Sequence, residues 1–399
     1  MMSNEFHSSA RRDFLKQATL LGAGLMAGTS YALSPRASQS LQSHNFYGTH
    51  QQGIATPVQK HIYFMVLDLH STDIAKIKEM FQTWTKYSAN LTAGKNVKPY
   101  GDNIYVPTFD TGEADGLNPH HLTLTFGVSP HFFDKLGISQ LKPELLKELP
   151  HFPRDQLKEH YTHGDICIQA CANDPQVAFH AVRNLVRIAR SHITMRWSQS
   201  GFNSFEGSDT PRNLFGFKDG TGNPQGKELD KTVWYEGDDW LKGGTFLVAR
   251  RVQMHLETWD RTNLNGQEET FGRHRDTGAP IGNKHEFDKV DLDKKDNKGN
   301  AVIPEISHLH LAKKTGLQIL RRSFSYASGV DPRTGQFDAG LLFISFQKDP
   351  TQFIAIQNSL GNIDKMNEYI THIGSGLFAC FAGVKDENDY LGKALFDQL

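Results

Sequence analysis

Along residues 61–202 the apolar positions fall into runs whose period switches between two and 3.6, the pattern of strands alternating with amphipathic helices. HIYFMVLDLH (61–70) reads as a strand, TDIAKIKEMFQTWTKYSANL as a helix and LTLTFGVS as a strand, with short helices following to about Leu149. DICIQACA is again strand-like, PQVAFHAVRNLVRIAR helical and HITMRWSQSGF strand-like. Asp174 stands where it can cap the second helix, with Pro175 at its first position. The β-α-β-β-α-β order is the ferredoxin-like plan. After a polar break at NSFEGSDTPRN the chain offers GTFLVARRVQMHL, a polar loop over 273–305, LQILRRSFSY, GLLFISFQKD, the helix TQFIAIQNSL and a last strand GLFACFAG. This second half resembles the first with a long insertion, and loops longer than about 15 residues are uncommon unless they do something. The expected organisation is a mature N-terminal arm over 37–57, then domains over 58–210 and 211–399.

Length and charge add bounds. A chain of 399 residues is long enough for two cores. With 43 Lys+Arg against 44 Asp+Glu there is no electrostatic footprint for nucleic acid. The N-terminus says more. In SSARRDFLKQATLLGAGLMAGTSYALS, Arg11 and Arg12 precede a weakly apolar stretch ending near Ala32, which reads as a twin-arginine export signal over residues 1–36, cleaved between Ala32 and Ala37. Ala10 departs mildly from such signals. The apolar run is shorter than the roughly 20 residues that span a bilayer, and Gly, Ser and Thr dilute it, so no membrane span is expected in the mature protein. The twin-arginine route carries cargo already folded, often around a cofactor, and the expected location is the periplasm. Three cysteines are too few for a disulfide framework. Cys167 and Cys171, on one strand, would stand roughly 13 Å apart, and together with Cys380 they read as packing residues.

The second half collects the candidate chemistry: Asp219 in the glycine turn GFKDGTGNP, His308 and His310 in ISHLHLA, and Arg321 and Arg322 in ILRRSF. Each alone has an ordinary reading. An Asp among glycines commonly bonds its own backbone, a histidine is commonly a partly buried packing residue, and a strand arginine commonly pairs at the surface. His308 and His310, at i and i+2, would share one side of a strand, which keeps a two-histidine metal site open. GxxxxGK[ST], HExxH, GxSxG and CxxC are all absent. Haem needs what the set contains: an imidazole for one face of the iron and polar groups over the other.

GFKDG with TGNP, WDR at 259–261, QEETFGRHRDTGAPIG, SHLHLA, ILRRSFSY and NEYITHIGSG resemble the dye-decolourising peroxidase family, and with FYGTHQQGIATP its exported deferrochelatase/peroxidase (EfeB-like) branch, tied to bacterial ferrous-iron uptake. The similarity runs from about residue 46 to the end. It implies an α+β fold of two ferredoxin-like domains with antiparallel sheets, of the dimeric α+β barrel type, with one haem b held mainly by the second domain. Such folds often pair through sheets, which leaves room for a homodimer. The resemblance makes His308 the proximal iron ligand and His310 a neighbour near the haem edge. It makes Asp219 the distal acid/base, Gly220, Thr221 and Gly222 haem contacts, and Arg321 the distal cation, while Arg322 points away as the next residue on a strand. The segment between His308 and Arg321 is shorter than in the family, and KKT replaces the usual NPR; Lys313, Lys314 and Thr315 are assigned to the haem propionates. For the carboxylate that receives the second N–H of the proximal histidine, Glu368 is the candidate and Asp349 the runner-up.

The implied chemistry is reduction of hydrogen peroxide, with Asp219 moving the proton and Arg321 offsetting negative charge on the leaving oxygen; dyes or other one-electron donors supply the electrons. An unperturbed Asp titrates near 4, so turnover is expected to be best in acid. Trp234, Tyr235 and Trp240 could relay electrons to the surface but read first as packing. Two alternatives use the same pocket, release of iron from haem with the porphyrin left intact and non-catalytic haem carriage. A third is a haem-free metal site at His308 and His310.

Overall fold

The computed structural model describes residues 43–399, so the export signal and the first part of the arm lie outside the described residues. Among the described residues no helix is long and apolar enough to cross a membrane. The first half runs β1 (His61–Leu69), α1 (Ile74–Thr92), β2 (Thr123–Val128), α2 (Pro130–Leu136), β3 (Ile166–Ala172), α3 (Pro175–Ala189) and β4 (Ile193–Phe202). Its antiparallel strands stand in the order β2-β3-β1-β4, the ferredoxin-like arrangement. Asp174 accepts from the N–H groups of Gln176 (2.8 Å) and Val177 (3.0 Å), with Pro175 opening the helix. Every residue of β2 and β3 is buried, because one face of the sheet meets helices and the other faces inward.

After α4 (Lys227–Val233) the second half repeats the strand order with β5 (Thr245–Met254), β7 (Phe324–Asp331), β8 (Gln336–Gln347) and β9 (Ile370–Cys380), and carries α8 (Pro350–Leu360) where the first half has α3. The last strand starts six residues before GLFACFAG, because ITHIGS continues the ladder along β5. LQILRRSFSY, expected as one strand, divides into β6 (Leu320–Arg321) and β7. Between β5 and β6, where the first half places α1, the chain has only α5 (Leu256–Trp259), α6 (Leu264–Phe271), a polar loop and α7 (His308–Lys313).

Pairing of β5 with β8 closes the ring β5-β9-β2-β3-β1-β4-β7-β8, so the two sheets form one barrel. The joins are short: Gly127↔Cys380 and Val128↔Ala379 on one side, Phe202↔Ser325 on the other. At the first join a Cβ on Gly127 would stand 3.0 Å from both Cys380 Sγ and Phe378 Cβ, so the strands meet there only because the residue has no side chain. The arm, which lacks apolar periodicity, reinforces both joins through polar groups. Gln51 donates to the carbonyls of Phe126 and Phe381 (2.9 Å each) and accepts from Phe126 N–H (2.8 Å). Arg322, buried on the side of the strand opposite Arg321, donates to Pro57 O (3.0 Å) and to Gln59 Oε1. Phe64, Val66, Trp197, Leu247, Leu342, Phe346 and the three cysteines, all unbridged thiols, fill the barrel interior.

Candidate functional site

The second sheet's outer face carries Arg250, Val252 and Met254 of β5, and the short helices stand off from it instead of packing down. The resulting cavity has about 1580 Å³ of atom-free space including its mouth, and His308, Asp219 and Arg321 all line it. Its walls are largely apolar, with Phe215, Phe271, Phe343 and Phe353 among them.

ISHLHLA alternates like a strand but folds as the start of α7. Ser307 is the N-cap, its Oγ accepting from His310 N–H (3.3 Å). A helical i, i+2 spacing turns the two imidazoles to different faces. His308 lines the cavity; His310 does not, and its Nδ1 is buried without a partner. The expected shared strand face is therefore corrected by a capping serine.

His308 Nδ1 meets Asp364 Oδ2 at 2.7 Å, and the Asp364 side chain is 2% exposed. Burial pushes the His308 ring toward neutrality, but the charge and hydrogen bond of Asp364 outweigh it and the net displacement is upward. The other Asp364 oxygen accepts from Met366 N–H (2.9 Å), so this carboxylate also caps the short 3₁₀ turn Lys365–Glu368. Glu368 itself is exposed, and Asp349 caps α8 in a capping box with Gln352. The partner of His308 is thus neither of the expected acids. Asp364 sits beside them in sequence as an ordinary N-cap, and only the packing of α7 against this turn reveals its second contact. With Nδ1 committed, Nε2 is the ring atom left to ligate.

Asp219 Oδ1 accepts from Arg321 at 3.1 Å. Backbone bonds fix that pair: Arg321 N–H donates to Asn223 Oδ1 (3.0 Å), and Asn223 Nδ2 donates back to Arg321 O (2.7 Å). The asparagine of TGNP therefore holds β6 in register with the glycine turn. Gly220 has φ +121°, which favours glycine. Thr221 and Gly222 line the same cavity as His308, while Gly220 lines a second cleft that Asp219 and Arg321 also border. Thr221 Oγ1 donates to Glu286 Oε1 (2.8 Å), and Glu286 also receives Thr210 and Lys218. These bonds outweigh burial and hold the Glu286 carboxyl below its usual range. Glu286 comes from the long polar loop, which thereby anchors the turn that carries Asp219.

Of the three expected propionate residues only Lys313 lines the cavity; Lys314 is exposed, and Thr315 Oγ1 donates to Ala312 O (2.8 Å). The same loop supplies a cation to which no motif gives a role. Arg273 lines the cavity and donates to the carbonyls of Gly278 (2.6 Å) and Glu286 (3.1 Å). Burial and the nearby Arg321 charge push its pKa down to about 10. Two cations pressed together on an apolar cavity suit an anionic ligand. His372 also lines it, pushed down to about 3 by burial, by Arg250 and by His308. An imidazole with one free nitrogen, apolar walls, and Arg273 and Lys313 at the polar part fit a flat, apolar macrocycle with acidic substituents.

Comparison with known proteins agrees with that chemistry. Residues 51–203 match the family described as Dyp-type peroxidase, N-terminal, and residues 210–385 match Dyp-type peroxidase, C-terminal. The chain is 36% identical to the deferrochelatase of Shigella boydii serotype 4 and 35% to that of Escherichia coli K12, covering 98% of both chains in each case. Among solved structures, ferric DtpA from Streptomyces lividans superposes with a TM-score of 0.83 at 35% identity, covering 90% of this chain and 98% of that one. A DyP-type peroxidase from Cellulomonas bogoriensis gives 0.81 at 33%, covering 89% and 98%.

Proposed function

This chain belongs to the Dyp-type peroxidase family and is a haem-dependent peroxidase, and on that premise we propose that His308 is its iron ligand and that Asp219 and Arg321 do the proton and charge work. The observation that carries the reading is the convergence of these three side chains on one cavity, with Asp364 behind the imidazole. Bound haem supplies the redox centre at which hydrogen peroxide and the reductant exchange electrons. Overall one peroxide takes up two electrons and two protons and leaves as two waters.

The Asp219 carboxylate accepts a proton from one peroxide oxygen and returns it to the other. Arg321, 3.1 Å from Asp219 Oδ1, keeps that carboxylate oriented and offsets negative charge on the departing oxygen. Asp364 fixes the His308 tautomer and raises the electron density its ring offers the iron. Thr221 and Gly222, which line the cavity, would contact the cofactor, and Arg273 with Lys313 would meet its carboxylates. Comparing haem-loaded Asp219→Asn with wild type at equal haem occupancy tests the assignment; unchanged dye turnover would remove Asp219 from the mechanism.

The names of the curated relatives favour a second reaction in the same cavity, release of iron with the porphyrin left intact. Metal-free porphyrin fluoresces, so its appearance after incubation with haem decides between the two outcomes. Export to the periplasm by the twin-arginine route, supported by the arginine pair at residues 11 and 12, completes the proposal, together with service to an iron-uptake system and pairing as a homodimer.

A further inference from the structure

Further along β9 from the haem cavity lies a second cleft, lined by Ser129, His131, Glu148, Thr162 and His163 with Ser375–Phe378 of the strand. We propose that His131, Glu148 and His163 form a second metal site, separate from haem, that takes a divalent first-row transition ion such as Zn²⁺ or Fe²⁺. One ligand atom from each lies within 4.8 Å of the others. His131 Nε2 is 3.3 Å from His163 Nδ1 and 3.2 Å from Glu148 Oε1. Two donors held about 2.0–2.1 Å from one ion at the tetrahedral angle stand about 3.3 Å apart, so these edges are already those of a coordination polyhedron.

The three residues arrive from separate segments: the first turn of α2, the coil after Leu146, and the corner ahead of β3. The corner is built to aim its imidazole. His163 has φ +60°, a conformation L side chains rarely adopt. The next residue, Gly164, has φ +105°, and a Cβ there would stand 2.2 Å from Val66 Cγ1, so β1 leaves the corner no room to relax. Ser129 Oγ accepts from His131 N–H (3.2 Å) and fixes the turn that presents the other ring.

Without an ion, a neutral His131 Nε2 either donates to Glu148 or accepts from His163 Nδ1 and cannot satisfy both edges, whereas a cation satisfies all three lone pairs at once. Two imidazoles and one carboxylate suit borderline ions such as Zn²⁺ or Fe²⁺ and offer too few oxygens for Ca²⁺ or Mg²⁺. The cleft leaves the remaining coordination positions open to water or a small ligand.

The test uses the haem-loaded full chain without an added histidine tag, stripped with EDTA and titrated calorimetrically with ZnCl₂, with retained zinc counted by mass spectrometry. One zinc per chain is expected. His163→Gly, which suits the positive φ, and Glu148→Gln, at an exposed position, should each weaken binding by at least about tenfold. Both should leave the haem absorption and dye turnover unchanged. Failure of the wild type to retain zinc, or equal retention in both variants, would overturn the proposal and leave the trio as a histidine–glutamate ion pair.

Discussion

The two halves share a strand order and differ in what covers the sheet. In the first half, α1 and α3 lie directly on Met65, Leu67 and Leu69 of β1, and Phe81 and Trp84 are fully buried between them. Trp84 satisfies its indole N–H on Leu185 O (2.8 Å). In the second half the corresponding face of β5 presents Arg250, Val252 and Met254 to a cavity, because three short helices and a loop replace the nineteen-residue α1. One half spends its outer sheet face on stability and the other on a binding site. The same plan does both because a sheet face must be covered, but a bound cofactor can be part of the cover.

The strongest way to break this contrast is His308→Ala. Haem absorption and dye turnover should both vanish while far-ultraviolet circular dichroism stays native; retained Soret absorption would place the iron ligand elsewhere. Next, Asp219→Asn at equal haem occupancy should lower turnover by about 10²- to 10⁴-fold in steady-state assays. In the filled half, Trp84→Ala should cost about 3–5 kcal/mol in chemical denaturation, without altering the haem spectrum of the folded protein.

Asp364→Asn should keep haem but reduce turnover by about tenfold to a hundredfold, through loss of the charge behind His308. The smallest effect is expected at Glu286→Gln, with a loss of melting temperature on the order of 2 °C at neutral pH. Because Glu286 titrates below its usual 4.5 when folded, the stability it contributes is present above that value and lost as pH falls through the lower folded one. The gap between wild type and variant should therefore close in acid; a pH-independent gap would mean that shape, not charge, matters there.

The filled half was readable because its signals are local. Asp174-Pro175 marks a helix start, and β2 and β3 are short strand-like runs every residue of which is buried. In the second half Asp219, His308 and Arg321 drew notice only as a set, since each has an everyday role in isolation. Arg273, Glu286, Asn223 and Asp364 stayed hidden for a common reason: their importance lies in contacts 13 to 98 residues away in the chain. Glu368 and Asp364 stand four residues apart, and no periodicity separates an exposed acid from a buried one in a 3₁₀ turn. ISHLHLA misled in the opposite way, a strand-like alternation decided by one capping hydroxyl.

The barrel interior has a consequence for an enzyme that consumes peroxide. Cys167, Cys171 and Cys380 are its only sulfhydryls, and all three are sealed inside. Burial drives the thiols of Cys167 and Cys171 upward, and contact with Cys380 drives Cys167 further. Oxidants attack the thiolate, which needs both ionisation and access. By sealing them away, the fold keeps its thiols from the enzyme's own substrate and makes inactivation by excess peroxide a matter of the haem and its surroundings, not of cysteine.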